Sequence, residues 1–388
     1  MMILLQRILA KLIWDIHNFV APDARKMLGT GMFRNGIMDP HFPWKQYEGR
    51  LNPYYLKYGF RISTLESEYY SRCSGVKSDL YMPLSLYYRF LYPYLNNDAW
   101  RWGFVDKNML ARLLSANDTR ISSEVLVPES IAYCQNGRFF KAGSKLCTRE
   151  EAIDAVLTYS DDLIVKPSIY SSHGHGVIKL YVHQKNRQSI EQLFQNYGSN
   201  FVIQEVVRQH PDLSAFNPTS VNTIRIATYQ DFEGRVKILY SSLRFGGKGK
   251  VYDNADDADG SGGFCAILPD GSITRVVHHY RKMKTERLDD NLPAVIPYFQ
   301  EIRNAVTYLH TLLPQFAFIG WDMSVTRDGH PVVIEFNLRP GLGSAQLAHG
   351  PLFEKDDLDE IMKRVSRAEC GWSRKISVKF PDAPHYGL

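Results

Sequence analysis

One stretch limits the folding of this chain more than any other: Gly320 to Asn337, GWDMSVTRDGHPVVIEFN. Asp-Gly between alternating apolar residues is the strongest short-range hairpin signal. The pattern predicts two antiparallel strands joined by a two-residue loop at Asp328 and Gly329, with Arg327 opposite His330. Counting outward, Asp322 falls directly opposite Glu335 on the same face, and Asn337 joins that face by the two-residue repeat of a strand. Like charges directly opposite are destabilising, so the two acids need a reason. Two carboxylates and an amide make a hard-oxygen set suited to magnesium, which takes one or two carboxylates and completes its shell with phosphates. A cation turns the repulsion into attraction. We prefer this reading to a protonated acid, or to two acids facing water, because apolar neighbours surround both.

Upstream of the hairpin the texture is α+β. TREEAIDAVLTY is helical, with Thr148 placed as N-cap and Glu151 completing a capping box. DLIVKPS, NFVIQEVV, VNTIRIATYQ, VKILYSSLRFG and GFCAILP read as strands separated by turn residues. YFQEIRNAVTYLHTLL is an amphipathic helix with Ile302, Ala305, Val306 and Leu309 inward. Helices alternating with hairpins fit an α+β enzyme better than a doubly wound parallel sheet. No internal repeat is evident.

Composition narrows the class. Over 388 residues the net charge is +5, too mild for a nucleic-acid binder but suited to an anionic ligand. The five cysteines are scattered without a CxxC pair, which argues against zinc ribbons and disulfide scaffolds and for a reducing cytosol. Residues 1 to about 100 are predicted helical and rich in tyrosine, with no chemical motif. The first twenty are amphipathic: Leu5, Ile8, Leu9, Leu12, Ile16 and Phe19 share a face opposite Arg7 and Lys11. A helix packed on its own domain is preferred there to one lying in a membrane surface.

A second signal is LIVKPSIYSSHGHGVIKL, Leu163 to Leu180, where a strand delivers Lys166 into a small-residue loop with Gly174 and Gly176. Such a loop lets backbone N–H groups approach phosphate while the lysine supplies a point charge. It matches neither a Walker A motif nor a dinucleotide fingerprint, and a plain hairpin turn is the bland alternative. On SVNTIRIATY, Asn222, Ile224 and Ile226 share one face, and Thr223 and Arg225 the other. A lone arginine on an apolar strand usually has an anionic partner. HHYRKMKTER, His278 to Arg287, reads either as a receptor for an anionic group or, more commonly, as a solvated face.

The order of these segments resembles the ATP-grasp superfamily: lysine with a Gly loop, a hinge strand ending QE, an Arg-bearing strand, a glycine pair, then Asp and Glu-x-Asn. NPTSVNTIRI, VYDNADDADGSGGF, FIGWDMSVTRDGHPVVIEFN and the VDK before a helix are similar to its sugar-transfer-associated branch, over roughly residues 100 to 355. The resemblance implies an ATP-grasp fold, two α+β subdomains sandwiching ATP, spanning residues 101–388 after a helical region 1–100. Residues 101–210 would form the smaller, nucleotide-covering part and 211–388 the larger part. It implies ATP phosphate contacts from Lys107 and Lys166, with the backbone of Ser172, His173, Gly174 and Gly176 covering them. Glu205, Val206 and Val207 would meet adenine and Asp212 the ribose. Asp322, Glu335 and Asn337 would hold one or two Mg2+ ions. Arg225 and Arg339 would stabilise the transferring phosphoryl group, and Asn222, Arg244, Asn254 and Gly263 would line the acceptor side. The acidic run at residues 253–260 is read as a solvated loop.

The implied activity is an ADP-forming carboxylate–amine ligase working through an acyl phosphate. Its substrates would be a small or sugar-linked carboxylate and an amine, for surface polysaccharide synthesis in the cytoplasm or at the inner membrane face. The alternatives are an ATP-dependent kinase of a sugar or small-molecule hydroxyl and a non-catalytic, membrane-associated nucleotide-binding scaffold. A homodimer and a peripheral membrane contact through residues 3–20 are compatible with this reading, and nucleic acid is not an expected partner.

Overall fold

The structure, a computed structural model, describes residues 43, 45–96, 100, 103–117, 125–169, 174–247, 249–251, 262–279 and 284–372. Ser172, His173, Asn254, the run 253–260 and the helix proposed at residues 3–20 lie outside the described residues. The chain divides into two compact units, Met1–Tyr94 with Leu342–Leu388, and Leu95–Gly341. No helix among the described residues is long and apolar enough to cross a membrane.

The first unit is helical and aromatic, as its composition predicts. Tyr55, Tyr70, Tyr81, Tyr87 and Tyr92 are fully buried. Sequence-distant pieces are stitched by polar side chains. Gln346, on the helix Gly343–His349, binds the backbone of Met82 in both directions, accepting from its N–H at 2.6 Å and donating to its carbonyl at 3.0 Å. Asp359, on the helix Lys355–Trp372, accepts from Tyr54 OH at 2.7 Å, Tyr58 OH at 2.8 Å and Lys57 Nζ at 3.0 Å, and its other oxygen accepts from Lys355 Nζ at 2.7 Å. Glu66 is buried with one oxygen accepting from Leu84 N–H at 2.8 Å.

The second unit carries two antiparallel sheets. After helix α1 (Asn108–Asn117) come β1 (Ser130–Gln135), β2 (Arg138–Lys141), β3 (Lys145–Cys147), α2 (Arg149–Thr158), β4 (Leu163–Pro167), β5 (Ile178–Leu180), α3 (Arg187–Tyr197) and β6 (Asn200–Glu205). These strands form a six-stranded sheet in the order β3-β2-β1-β6-β4-β5. Helices α2 and α3 cover it, packing Ile153, Val156, Ile190 and Phe194 against Ile131, Val165, Phe201 and Ile203. The capping box at α2 is present: Thr148 Oγ1 accepts from Glu151 N–H at 3.2 Å, and Glu151 accepts from Thr148 N–H at 2.8 Å.

The larger sheet has seven strands: β7 (Thr223–Gln230), β8 (Val236–Phe245), β9 (Gly263–Ile267), β10 (Val276–His279), β11 (Lys284–Arg287), β12 (Phe318–Val325) and β13 (Pro331–Asn337), ordered β11-β10-β9-β8-β7-β12-β13. Helix α4 (Phe299–Thr311) buries Ile302, Ala305, Val306 and Leu309 against Ile224, Ile226, Leu243, Ile319, Trp321 and Met323. A closed polar chain runs through this core. Trp321 Nε1 donates to Thr228 Oγ1 at 2.9 Å, the hydroxyl lies 2.6 Å from His310 Nδ1, and His310 Nε2 donates to Phe316 O at 2.8 Å. Burial pushes the pKa of His310 down to about 4, against the Phe316 carbonyl, so the ring is neutral near pH 7.

Two expectations are corrected. The opening hairpin does not turn on two residues. Thr326 pairs with His330, its N–H donating to His330 O at 3.0 Å, so Arg327, Asp328 and Gly329 form a three-residue loop and Arg327 does not face His330. Gly329 takes φ +90°, and a Cβ there would lie 2.6 Å from the Tyr298 ring, so the site requires glycine twice over. The extra loop residue offsets the pairing, giving Met323 opposite Val333, and a bulge then restores it, so that Asp322 still pairs with Glu335 and Gly320 with Asn337. His278 and His279 are buried within the sheet rather than part of a solvated basic face, and His278 stacks on Phe264 with ring centroids 5.3 Å apart.

Candidate functional site

Lys166 is the most unusual side chain in the second unit. The alternation of β4 sends Leu163 and Val165 into the core and Lys166 to the opposite face. It is only 8% exposed, yet among the described residues its ammonium has no hydrogen-bond partner. Burial lowers its pKa to about 8; Lys107 pushes the same way, while Glu335 and Asp322 pull it back up. A cation on a largely buried side chain that opens into a cleft suits an anionic ligand there.

Lys166 opens into a cleft lined from both sheets. Charged and polar lining comes from Lys107, Lys166, Gln204, Glu205, Thr223, Asp322 and Glu335; apolar lining comes from Pro128, Ile164, Val177, Val207, Val221, Val251 and Ile334. Gly174 and His175 line it as well, at a turn where Gly174 and Gly176 both adopt positive φ. A Cβ on Gly176 would meet Pro167 at 2.8 Å, so this turn closes tightly over the end of β4. Glu205 ends β6, and the segment Val206 to Arg208 runs on outside both sheets.

The acids on the hairpin are neutralised by cations from elsewhere in the fold. Asp322 is buried and held by Arg225 of β7, whose Nε donates to Oδ1 and whose Nη2 donates to Oδ2 at 2.7 Å. Burial works against each charge, but the pairing wins. It raises the pKa of Arg225 and lowers that of Asp322. Arg244 of β8 stands 3.8 Å from Asp322 Oδ1. Glu335 is the more open acid, its side chain 36% exposed, and Lys107 Nζ lies 3.7 Å from its Oε2. Lys107 itself is anchored by its backbone, which donates to Ser168 O at 2.9 Å just before α1.

Asp322, Glu335 and the amide of Asn337 supply oxygen donors from neighbouring positions of one hairpin, and this set fits magnesium. Glu335 is the readily available ligand. Asp322 has both oxygens on Arg225, and Asn337 Oδ1 accepts from Arg339 N–H at 3.2 Å. Among the described residues no three histidine, cysteine or carboxylate side chains cluster as a metal site without the help of an amide.

Of the residues expected from the sequence, Lys107, Lys166, Gly174, Glu205, Val207, Asp322 and Glu335 line one cleft, with Arg225 and Arg244 on Asp322 beside it. Others have different surroundings. Asn222 is fully buried and donates to Leu213 O at 2.7 Å and Asn217 O at 2.9 Å, tying a loop. Gly263 makes room for Val277, which a Cβ would approach to 2.5 Å. Asp212 is exposed in a turn after His210, and Arg339 is exposed beyond β13. Missed from the sequence was Gln204, buried at the hinge strand and oriented by donating to Pro128 O and Ser130 Oγ, both at 3.2 Å. Gln204 is the first residue of the QE pair that ends the hinge strand, so the signal was already in the motif.

No curated protein matches the chain. Among solved structures, the VanG D-Ala:D-Ser ligase from Enterococcus faecalis is 15% identical, with 68% of this chain and 61% of that chain covered and a TM-score of 0.42. The ATP-grasp ligase PsnB, complexed with a phosphomimetic variant of its minimal precursor, Mg and ADP, is 13% identical, covering 70% and 61% with a TM-score of 0.40. D-cycloserine synthetase DcsG is 13% identical, covering 89% and 94% at 0.38. The chain thus spans about three fifths of the first two, and at these scores none of the three bears on its substrates. The sequence itself matches the family described as sugar-transfer associated ATP-grasp over residues 91–361. With most of its length inside that match, the chain belongs to the sugar-transfer associated ATP-grasp family.

Proposed function

We propose that the protein is a Mg-ATP-dependent carboxylate–amine ligase that joins an amine or amino acid to a sugar carboxylate in surface polysaccharide synthesis, acting on the cytoplasmic side. The observation that carries the nucleotide part is the largely buried Lys166, with its pKa lowered by burial, lining a cleft together with Lys107, apolar walls and the hairpin carboxylates. The sugar part rests on the family description alone.

In this reading the apolar walls take the base, and Lys166 and Lys107 take the phosphates. Glu335, with Asn337 and Asp322, would hold magnesium, which neutralises phosphate charge during transfer. A substrate carboxylate oxygen attacks the γ-phosphorus of ATP, and ADP leaves with the bridging oxygen and its electron pair. The amine nitrogen then attacks the acyl carbon, loses a proton and expels phosphate. Arg225, fixed by Asp322, and Arg244 beside it stabilise the charge that builds on the transferring group. Catalysis of this kind is positioning plus electrostatic stabilisation. No covalent enzyme nucleophile is required.

The first test is thermal unfolding with ATP alone, magnesium alone and both. A ligand at a hundred times its Kd adds about 2.7 kcal/mol, and the expected result is a shift that requires both. No shift in any condition overturns the nucleotide reading. Hydroxylamine then separates ligase from kinase, since only an activated carboxylate yields a hydroxamate. ADP release screened over uronic acids paired with amino acids tests the substrate class. Silence across all pairs counts against the sugar carboxylate.

A further inference from the structure

Four cations, Lys107, Lys166, Arg225 and Arg244, stand among three carboxylates: Asp322 and Glu335 on the hairpin, and Glu205 in the cleft lining. The balance is close to even, so what a bare divalent cation meets is decided by the cation nearest each carboxylate rather than by the cleft as a whole. The four cations are not equally mobile. Arg225 is fixed by two hydrogen bonds to Asp322, and Lys166 is buried on a strand. Arg244 stands beside Asp322, not Glu335. Lys107 combines a fixed root, its N–H on Ser168 O, with a flexible arm ending 3.7 Å from the most open metal-ligand candidate, Glu335 Oε2.

We propose that Lys107 is the internal counter-ion of Glu335: it occupies the metal position's open carboxylate in the free protein and is transferred to a nucleotide phosphate on binding, so that metal enters only together with nucleotide. This rests on the ATP reading above. It makes Lys107 a residue that orders ligand entry as well as a phosphate contact, and it predicts opposite effects of one substitution on two ligands. Removing the lysine charge loosens the hold on nucleotide and frees Glu335 for metal.

The test is a Mn2+ titration of the full chain, followed by loss of the EPR signal of free aquo-Mn2+, with and without the non-hydrolysable analogue AMP-PNP. Wild type is expected to bind Mn2+ weakly alone and tightly with AMP-PNP. Lys107→Met is expected to bind Mn2+ alone about tenfold more tightly than wild type, the scale of one ion pair at this distance in a water-exposed cleft. It is also expected to bind AMP-PNP more weakly. Lys107→Arg keeps the charge and should resemble wild type, while Lys107→Met combined with Glu335→Gln should lose the gain. Unchanged Mn2+ affinity in Lys107→Met, with the variant folded by its melting curve and wild-type metal binding with AMP-PNP intact, overturns the counter-ion role alone. Failure of wild type to bind AMP-PNP with Mn2+ overturns the ATP reading, and this inference with it.

Discussion

Asp359 in the first unit and Glu335 in the second are both carboxylates beside lysine, and they are built for different ends. Asp359 accepts from two tyrosines and two lysines over distances of 2.7 to 3.0 Å, and these donors hold its pKa far below the usual carboxylate range even though burial opposes this. Such an acid is finished: its lone pairs are spent inside the protein, and it fastens a C-terminal helix to an N-terminal segment. Glu335 has one lysine at 3.7 Å and stays open to the cleft. Asp322 stands between the two cases, saturated by Arg225 yet set against Glu335. The lesson is that a saturated carboxylate marks structure, and an incompletely satisfied one beside a largely buried cation marks a site for something not encoded in the chain.

Breaking the intermediate case has the largest expected effect. Asp322→Asn leaves Arg225 buried without its counter-charge, which costs about 3–5 kcal/mol; chemical denaturation of the isolated protein reads it directly. A loss under about 1 kcal/mol would mean that the pair is as weak as an exposed one.

Acid sharpens the contrast between the units, because their buried titratable groups differ in sign. Glu66 is fully buried in the first unit, and burial raises its pKa to about 7, against the partial offset of the Leu84 N–H. Its contribution is complete below the unfolded value near 4.5 and is lost as pH rises through 7. His310 in the second unit has its pKa lowered to about 4, so its contribution is complete above 6.5 and is lost as pH falls toward 4. His278, lowered to about 4 by burial and by His279, acts in the same direction. Each full excursion is worth about 3 kcal/mol. Hydrogen exchange between pH 7 and 4.5 should show the first unit gaining protection while the second loses it. Glu66→Gln should flatten the first trend and His310→Gln reduce the second.

Glu335→Gln is expected to lower the rate of ATP turnover by more than about a hundredfold, the scale of losing one preorganised electrostatic element. Its melting temperature should barely move, since the residue is open and weakly paired. Asp359→Ala is the mirror image and the smallest effect. Loss of charged hydrogen bonds at a partly exposed site should cost about 1.5–3 kcal/mol, with nucleotide-induced stabilisation unchanged. If Asp359→Ala abolished nucleotide binding, the separation of structural from functional acids would collapse.

Much of this was legible from local pattern. The inward face of α4, the capping box at Thr148 and the alternation that separates Ile224 and Ile226 from Arg225 all follow from local pattern and from periodicities of 3.6 and 2. The hairpin register was wrong near the loop and right at the acids. The loop has three residues rather than two, and a bulge cancels the slip before the acids are reached. Nothing local announces that bulge. The basic-looking run from His278 divides: Thr285 to Arg287 are exposed on the edge strand β11, while His278 and His279 are buried on β10 beside it.

By itself, then, the sequence determined the strands and helices and their buried faces, because each depends on neighbours a few residues away, while the acid pair also needed the bulge. Tertiary structure alone decided how the acids are neutralised. Arg225 is 97 residues from Asp322, Lys166 arrives from a different sheet, and Lys107 comes from the approach to a helix. It also decided that residues after Gly341 gather with those before Leu95. Charge pairing depends on distance in space, and side chains far apart along the chain meet only once the sheets have formed.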